Sequence, residues 1–215
     1  MTDDELASHD HVFVASTHYA RRLAARLPGA PVEPLLQAYD AARFFPDPSA
    51  GANGHDVLFV GNSRTVPRPI VADAVRAKLP LAIYGGKWER FVPAKHLRGA
   101  YVDNVNLRLQ YSSAKVVLND HWPDMRREGF LSNRLFEAAA CGACVITDPV
   151  LGLEEIFGGS VLHYLDTADL ARLVRGLLAD EARRRSLGEA ARRAVERHTF
   201  DERARVLERI IRKMS

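Results

Sequence analysis

Residues 131–148 read LSNRLFEAAACGACVITD, a stretch in which a helical pattern passes through a glycine turn into a short apolar strand. Four apolar side chains of its helical part fall on one side of the helix: Leu131, Leu135, Ala138 and Ala139. Three polar side chains gather on the other side: Asn133, Arg134 and Glu137. We therefore expect the apolar side to pack on a sheet and the polar side to remain open.

The same alternation extends over most of the chain, because short apolar runs rich in Val, Ile and Leu are separated by segments of helical period. Strands are predicted at residues 12–15, 34–37, 57–60, 81–84, 116–119, 144–147 and 161–164. Helices are predicted at residues 17–27, 70–78 and 107–114, and the pattern is wholly helical from residue 167 onward. This order predicts an α/β fold, a Rossmann-like parallel sheet with flanking helices and a helical C-terminus.

A break in the pattern suggests two units. Residues 45–54 read FPDPSAGANG, where prolines and small residues replace periodic sequence. We place the boundary here, with residues 1–53 as a smaller first unit and residues 54–215 as the main domain. The length of 215 residues leaves little room for two complete enzyme domains.

Composition and charge disfavour several function classes. The net charge is only +3, which gives no strong electrostatic case for a nucleic-acid or membrane partner, although the basic excess in residues 181–215 leaves an acidic partner or an anionic membrane surface open. The acidic start MTDDE is unlike a signal peptide, and no uncharged apolar run approaches the ~20 residues that span a bilayer. With two cysteines and no disulfide framework, we expect a cytoplasmic protein.

The first candidate site follows the predicted strand at residues 57–60. Gly61, Asn62 and Arg64 come directly after it and precede a helix. Ligands of parallel sheets bind at the carboxyl ends of strands, where a glycine lets the backbone approach and free amides receive a phosphate. Arg64 could add a bidentate contact. The alternative is an ordinary strand-to-helix turn.

A second candidate site follows the strand at residues 81–84. Tyr84, Gly85 and Trp88 lie there in the run YGGKW. An aromatic ring at such a place can cover a base or a sugar. The alternative for Trp88 is that it caps the edge of the core.

The strongest candidate is the polar side of the helix in residues 131–148. Arg134 lies in its first turn, where backbone amides are free to bind a diphosphate. Glu137 lies about one turn deeper, where a carboxylate can accept both hydroxyls of a ribose. The alternative is a surface ion pair between the two, worth a few tenths of a kcal/mol.

Two further patterns allow chemistry as well as a plain structural role. His121 follows the strand at residues 116–119 and could assist proton transfer or touch a phosphate. Cys141 and Cys144 have redox spacing, but the pair leaves a helix instead of beginning one, so two buried thiols are expected. The histidines show no metal-ligand spacing, and no metal site is predicted.

The run from Arg134 to Asp148 resembles the CgeB-like branch of the group-one glycosyltransferases, which have the GT-B fold. The resemblance extends from about residue 11 to the C-terminus. Its landmarks are the motifs VFVAS at 12–16, AYD at 38–40, FP at 45–46, VG at 60–61, IYG at 83–85, VLN at 117–119, YLD at 164–166 and HTF at 198–200.

The resemblance implies the donor-binding C-terminal half of a retaining, metal-independent glycosyltransferase. Its donor substrate would be a nucleotide-diphosphate sugar, with no cofactor. Glu137 would bind the donor ribose, Gly61 would approach the diphosphate, and Arg134, beside Asn133, would neutralise it. Tyr101 and Val102 would lie near the base.

The sequence departs from the family in two respects. Group-one enzymes have a second Glu eight positions before the ribose-binding one, but position 129 is Gly and the nearest acid is Glu128. Either the loop has gained a residue, and Glu128 is the candidate catalytic acid together with His121, or the partner acid is missing. The acceptor-binding domain also finds no room, so residues 1–53 would be the remnant of its edge and the linker. An acceptor domain or subunit would then be a partner.

Two other function classes compete with donor binding. A noncatalytic docking or regulatory subunit could use the C-terminal helices, where residues 181–215 hold eleven Lys or Arg against six Asp or Glu. An oxidoreductase is disfavoured because the fingerprint Gly-x-Gly-x-x-Gly is absent after residue 60. The donor base, the sugar, the acceptor and the oligomeric state are not encoded in any pattern that we recognise.

Overall fold

The computed structural model describes residues 2–51 and 54–214 as two parallel sheets with flanking helices. The strands are β1 Val12–Val14, β2 Val32–Pro34, β3 Val57–Val60, β4 Leu81–Tyr84, β5 Leu97–Gly99, β6 Val116–Leu118, β7 Val145–Thr147 and β8 Leu162–His163. The helices are α1 Asp3–Ala7, α2 Thr17–Arg26, α3 Pro69–Arg76, α4 Asn104–Ser113, α5 Pro123–Glu128, α6 Asn133–Ala140, α7 Leu153–Phe157, α8 Thr167–Ala179, α9 Glu181–Val195 and α10 Phe200–Met214.

The larger sheet has six parallel strands in the order β5-β4-β3-β6-β7-β8. The chain begins in the middle at β3, builds outward through β4 to β5, and then returns to place β6 on the other side of β3. The strand order therefore reverses between β3 and β6. Open parallel sheets bind their ligands at the carboxyl ends of the strands beside such a reversal.

Alternate residues of each central strand point to opposite faces of the sheet, and each face has its own core. On one face Leu58 and Val117 pack beneath α4, α6 and α9. On the other face Phe59 and Leu118 pack beneath α3 and α8. Because both faces are covered, the central strands are apolar throughout, which is why the sequence shows short continuous runs instead of alternation. The predicted α/β fold class is confirmed.

The structure corrects several predicted elements. The strand expected at residues 34–37 is Val32–Pro34, and the strand expected at 161–164 is reduced to Leu162–His163. The edge strand Leu97–Gly99 was missed because its residues are only half-buried or exposed and form no apolar run. The short helix Pro123–Glu128 was also missed, since it buries no residue and so shows no apolar stripe.

The smaller sheet consists of β1 and β2, which α2 connects. It is joined to the C-terminal helices through Arg203, whose guanidinium donates to the carbonyls of Leu36 (2.7 Å) and Gln37 (3.1 Å). The predicted domain boundary stays a prediction, because residues 52 and 53, on which it falls, lie outside the described residues. No helix in residues 2–51 or 54–214 is long and apolar enough to cross a bilayer.

Candidate functional site

A cavity of about 200 Å³ lies at the reversal of the strand order, between the carboxyl ends of β3 and β6 and the start of α6. Its lining is formed by Gly61, Asn62, Arg64, Arg68, Asp120, Trp122, Met125, Ser132 and Arg134. Four of these were predicted from the sequence: Gly61, Asn62, Arg64 and Arg134. The fold therefore brings the first candidate site and the strongest one together.

Asp120 and Arg68 form a buried bidentate pair at the base of this cavity. The Nε and Nη2 atoms of Arg68 donate to the two carboxylate oxygens of Asp120 at 2.7 and 2.6 Å. Both residues are buried, and the guanidinium of Arg68 lies 4.2 Å from the ring centroid of Trp122. A buried carboxylate must be paired in this way, because an unpaired charge in the interior costs several kcal/mol.

Arg134 shares the same carboxylate from the other side. Its Nη1 donates to the carbonyl of Val60 (2.6 Å), and its Nη2 donates to the carbonyl of Asp120 (3.1 Å) and lies 3.5 Å from a carboxylate oxygen of Asp120. With Arg64 above Trp122, three guanidinium groups line the cavity against one carboxylate. This excess of positive charge makes the cavity suited to an anion.

The start of α6 adds a second feature suited to an anion. Ser132 occupies the N-cap position, but its side chain makes no capping hydrogen bond, because its hydroxyl donates to Oδ1 of Asn119 (2.9 Å). The amide of Leu135 donates to the backbone carbonyl of Ser132 (3.1 Å), but no amide of the first turn is capped by the Ser132 side chain. Together with the helix dipole, the amides of this turn favour negative charge beside Arg134.

Glu137 lies one turn deeper on the same face as Arg134. Nδ2 of Asn133 donates to its carboxylate at 2.5 Å. Burial raises the pKa of Glu137, while the hydrogen bond from Asn133 and the charge of Arg134 oppose that rise. Among the described residues, the buried Oδ1 of Asn133 and the buried hydroxyl of Tyr111 have no hydrogen-bond partner. The surroundings of Glu137 thus retain unused polar groups that a ligand can satisfy.

The loops after β3 and β4 are fastened to each other. Oδ1 of Asn62 accepts from the amide of Gly86 (2.7 Å), and the hydroxyl of Ser63, which is fully buried, donates to the carbonyl of Lys87. Gly85 lies against the backbone of Gly61, where a Cβ would approach the carbonyl oxygen of Gly61 to 2.2 Å. Asn62 therefore lines the cavity, Gly85 lies behind the lining residue Gly61, and the predicted role of Asn62 and Gly85 in donor binding remains a prediction.

The structure corrects the placement of Trp88. Its side chain is fully buried, its Nε1 donates to the carbonyl of Gly61 (2.8 Å), and its ring meets the edge of Phe59 at 5.6 Å. Trp88 thus belongs to the core and does not offer a face to a ligand. The half-buried Tyr84 directs its hydroxyl to Nε2 of His55 (3.2 Å) and also lies outside the cavity.

Tyr101 and Val102 also lie outside the residues that line the cavity. Tyr101 is 76% exposed, whereas Val102 packs against the core beneath α4 and α6. An exposed ring before α4 remains free to meet a base at the rim, so the prediction for this pair stays open.

The two candidate catalytic residues also lie away from the cavity lining. Both ring nitrogens of the buried His121 are engaged, one with Asp148 (2.6 Å) and the other with the amide of Ser132 (3.0 Å). The carboxylate of Glu128 pairs with Arg22 and with Arg127 (3.1 Å). Each group already has a partner in the folded chain and neither lines the cavity, and the predicted catalytic role of both residues stays a prediction.

The cysteines are buried, as the polarity of their helix predicted. Burial raises the pKa of Cys141 to about 12 and that of Cys144 to about 11, and neither forms a disulfide. A thiol with so high a pKa is a poor nucleophile at neutral pH.

Sequence reasoning missed Arg68, Asp120 and Trp122 as site residues. Arg68 was obscured because it stands immediately before the Pro that opens α3, where a solvated residue is equally common. One signal was present, because Asp120 comes just after a strongly apolar strand, β6, which lies where the strand order reverses. A carboxylate buried at that place needs a cationic partner, so a nearby arginine could have been expected.

Comparisons with known proteins identify the family and the fold. The model of a family described as "Glycosyl transferase-like" matches residues 64–209. No curated protein sequence matches the chain significantly.

Solved structures share the fold at low sequence identity. Sucrose-phosphate synthase from Thermosynechococcus elongatus has a TM-score of 0.78 and 20% identity, over 99% of this chain and 60% of that one. HepE from Anabaena in complex with UDP and glucose has a TM-score of 0.70 and 14% identity, over 94% and 62%. BGT of phage T4 in complex with its UDP-glucose substrate has a TM-score of 0.60 and 14% identity, over 93% and 61%. The chain thus spans about 60% of the length of these proteins.

Proposed function

Because the chain belongs to the glycosyl transferase-like family and has the Rossmann-like fold of a GT-B domain, we propose that the cavity binds the diphosphate of a nucleotide-sugar donor. One observation carries this proposal: the guanidinium groups of Arg64, Arg68 and Arg134 line one cavity with a single carboxylate, beside the start of α6, which has no side-chain cap. A diphosphate supplies the negative charge and the many acceptor oxygens that such a cavity leaves unmatched.

The two guanidinium groups that contact Asp120 have different tasks in this proposal. Arg68 is held by both oxygens of Asp120, so it fixes the carboxylate and keeps the cavity wall in place. Arg134 is one-quarter exposed and binds Asp120 less closely, so it is the group that turns a donor nitrogen to the phosphates. Its rigid fork matches phosphate geometry, which a lysine cannot do.

The nucleoside would lie along α6 toward Glu137. A carboxylate one turn from the diphosphate site can accept both ribose hydroxyls. The unpaired Oδ1 of Asn133 offers a further acceptor at the same place. UDP is the first nucleotide to test, because the comparison structures of HepE and BGT contain UDP or UDP-glucose.

For the reaction itself, we propose a retaining and metal-independent glycosyl transfer that also requires an acceptor-binding domain or subunit. The coverage of about 60% of the comparison structures supports the need for further chain. The three guanidinium groups support the absence of a metal requirement, because they supply the positive charge that a divalent ion would otherwise bring. The narrower resemblance to the CgeB-like branch stays a prediction.

Calorimetry with UDP-, GDP-, ADP- and TDP-sugars tests donor binding. We expect one of them to bind below millimolar, with unchanged affinity in EDTA. Arg134→Ala should weaken it about 10- to 100-fold, the scale of a charge-assisted hydrogen-bonded pair. Glu137→Ala should also weaken it, whereas the exposed Arg185, which pairs with Glu181 on α9, serves as a matched Arg→Ala control without effect.

Two outcomes would contradict the proposal. If no donor binds below millimolar, the cavity does not hold a nucleotide-sugar, and a partner recovered by pull-down would then favour the docking or regulatory subunit. If a donor binds but Arg134→Ala and Glu137→Ala leave its affinity unchanged, the donor site lies elsewhere.

A further inference from the structure

The hydrogen bonds of His121 determine which of its ring nitrogens donates and which accepts. Its Nδ1 lies 2.6 Å from Oδ1 of Asp148, and a carboxylate can only accept, so Nδ1 carries the proton. Its Nε2 lies 3.0 Å from the backbone nitrogen of Ser132, which can only donate, so Nε2 holds a lone pair. The side chain of His121 is completely buried. The ring therefore bridges Asp148 and Ser132, with Nδ1 as the donor and Nε2 as the acceptor.

The bridge ends at the residue that begins α6. Ser132 is the N-cap, and it is held twice: its amide by His121 and its hydroxyl by Asn119. Asn119 in turn donates to Thr147 (3.0 Å), and Thr147 donates to Asp148 (3.1 Å). This closed network ties the carboxyl ends of β6 and β7 to the first turn of α6.

Because of this network, α6 lacks the hydrogen bond that an N-cap side chain usually makes to its own helix. An N-cap serine that binds an amide of its own helix stabilises that helix. Here the hydroxyl of Ser132 is turned away from α6, and its amide is held by a ring acceptor, so the following turn is fixed in place without being capped. A helix that only needed stability would gain by the ordinary cap, whereas a helix that binds an anion needs free amides in a fixed position.

We propose that His121 is a positioning residue of the donor site: by accepting from the amide of Ser132, it holds the first turn of α6 so that its amides and Arg134 meet the diphosphate. This inference rests on the proposed donor binding. His121 itself contacts no phosphate, because both of its ring nitrogens are occupied within the protein.

Substitution of His121 by asparagine or by glutamine tests its two hydrogen bonds separately. Asparagine can replace Nδ1 as the donor to Asp148, but its side chain is too short to accept from Ser132. Glutamine is long enough to place its oxygen where Nε2 accepts from Ser132. We expect His121→Asn to weaken UDP binding about tenfold or more, and His121→Gln to remain within about threefold of the wild type, since one hydrogen bond to a buried amide is restored.

A double-mutant cycle distinguishes positioning from a general loss of stability. If His121 acts by orienting Arg134, then His121→Asn should weaken UDP binding much less in an Arg134→Ala background than in the wild type. Amide hydrogen exchange should also become faster in the first turn of α6 of His121→Asn, while β3 and β4 keep their protection.

The possible outcomes separate this inference from the proposed function. If none of the UDP-, GDP-, ADP- and TDP-sugars binds to the wild-type chain in calorimetry, the proposed donor site and this inference fall together. If the wild type binds UDP, and His121→Asn binds it as tightly or the loss is the same with and without Arg134, donor binding stands and only the positioning role of His121 is wrong.

Discussion

Gly61 and Gly85 bring the loops after β3 and β4 into contact at the cavity wall. A Cβ on Gly61 would lie 2.6 Å from Nη1 of Arg134, the end of a long side chain. A Cβ on Gly85 would lie 2.2 Å from the backbone oxygen of Gly61, and Gly85 has a φ of +142°. The first substitution thus disturbs a side chain that can move, and the second disturbs backbone that cannot.

The substitution at Gly85 should therefore mainly lower stability, and the substitution at Gly61 should mainly weaken donor binding. We expect Gly85→Ala to lower the free energy of unfolding by roughly 2–4 kcal/mol, from the backbone clash and the unfavourable φ. We expect Gly61→Ala to lower it by less than Gly85→Ala does, because its closest contact is a side chain, although its φ of +159° is also unfavourable for alanine. The same substitution should weaken donor binding roughly tenfold, because Arg134 is displaced. Urea denaturation and calorimetry measure the two quantities, and equal stability losses would contradict this assignment.

At the scale of elements, His198 closes the turn between α9 and α10. Its Nδ1 accepts from Nη2 of Arg203 (2.7 Å), and its ring lies 5.3 Å from that of Phe136 on α6. Its backbone carbonyl accepts from the amide of Tyr39, which lies in the segment that follows β2. Burial, with a smaller effect of Arg203, lowers the pKa of His198 to about 4. The junction therefore requires a neutral imidazole.

This junction makes stability depend on acid pH. The pKa of His198 is about 4 in the folded chain, against the ordinary value of 6.5 for an exposed imidazole, so the unfolded chain binds more protons between these values. The contribution of His198 is fully present above about pH 6.5 and is lost as pH falls toward 4. We expect a loss of about 1–2 kcal/mol, which is less than the full shift because solvent screens a half-buried ring.

His198→Gln provides the comparison, because its amide oxygen can still accept from Arg203 but does not titrate. Urea denaturation between pH 7.5 and 4.5 should show a smaller loss of unfolding free energy for His198→Gln than for the wild type. Parallel curves for the two proteins would show that His198 does not govern this dependence.

At the scale of the whole molecule, the two sheets meet beside the entrance to α6. The hydroxyl of Ser16 donates to the carbonyl of Glu128 (2.6 Å), and the ring of Tyr19 lies 5.5 Å from that of Phe130. Arg22 of α2 pairs with the carboxylate of Glu128. The candidate acid Glu128 thus fastens the smaller unit to the larger one.

Donor binding should stabilise the whole chain, because the cavity draws on β3, β6 and α6 and exists only in the folded state. A free donor at about 100 times its Kd adds about 2.7 kcal/mol to the stability of the folded state. For a chain of this size, that corresponds to a rise in Tm of roughly 5–10 °C. Calorimetric or fluorescence melting of the wild type and of Arg134→Ala at one UDP concentration measures this rise in Tm. An equal rise in Tm for both proteins would contradict the role of Arg134.

The sequence alone determined those features that depend on local period. Apolar runs identified the central strands, and the helical period placed Arg134 and Glu137 on one face of α6, since side-chain direction follows from residue spacing. The edge strand β5 escaped this reasoning because a half-exposed strand needs no apolar run.

Only the tertiary structure decided which distant groups are partners. Arg68 and Asp120 are 52 residues apart, and His121 lies between Asp148 and Ser132 because β6 and β7 are neighbours in the sheet. For the same reason, the sequence could not show whether Trp88 belongs to the core or covers a ligand. A buried polar or aromatic group takes its role from the elements that the strand order places around it, and local spacing does not specify that order.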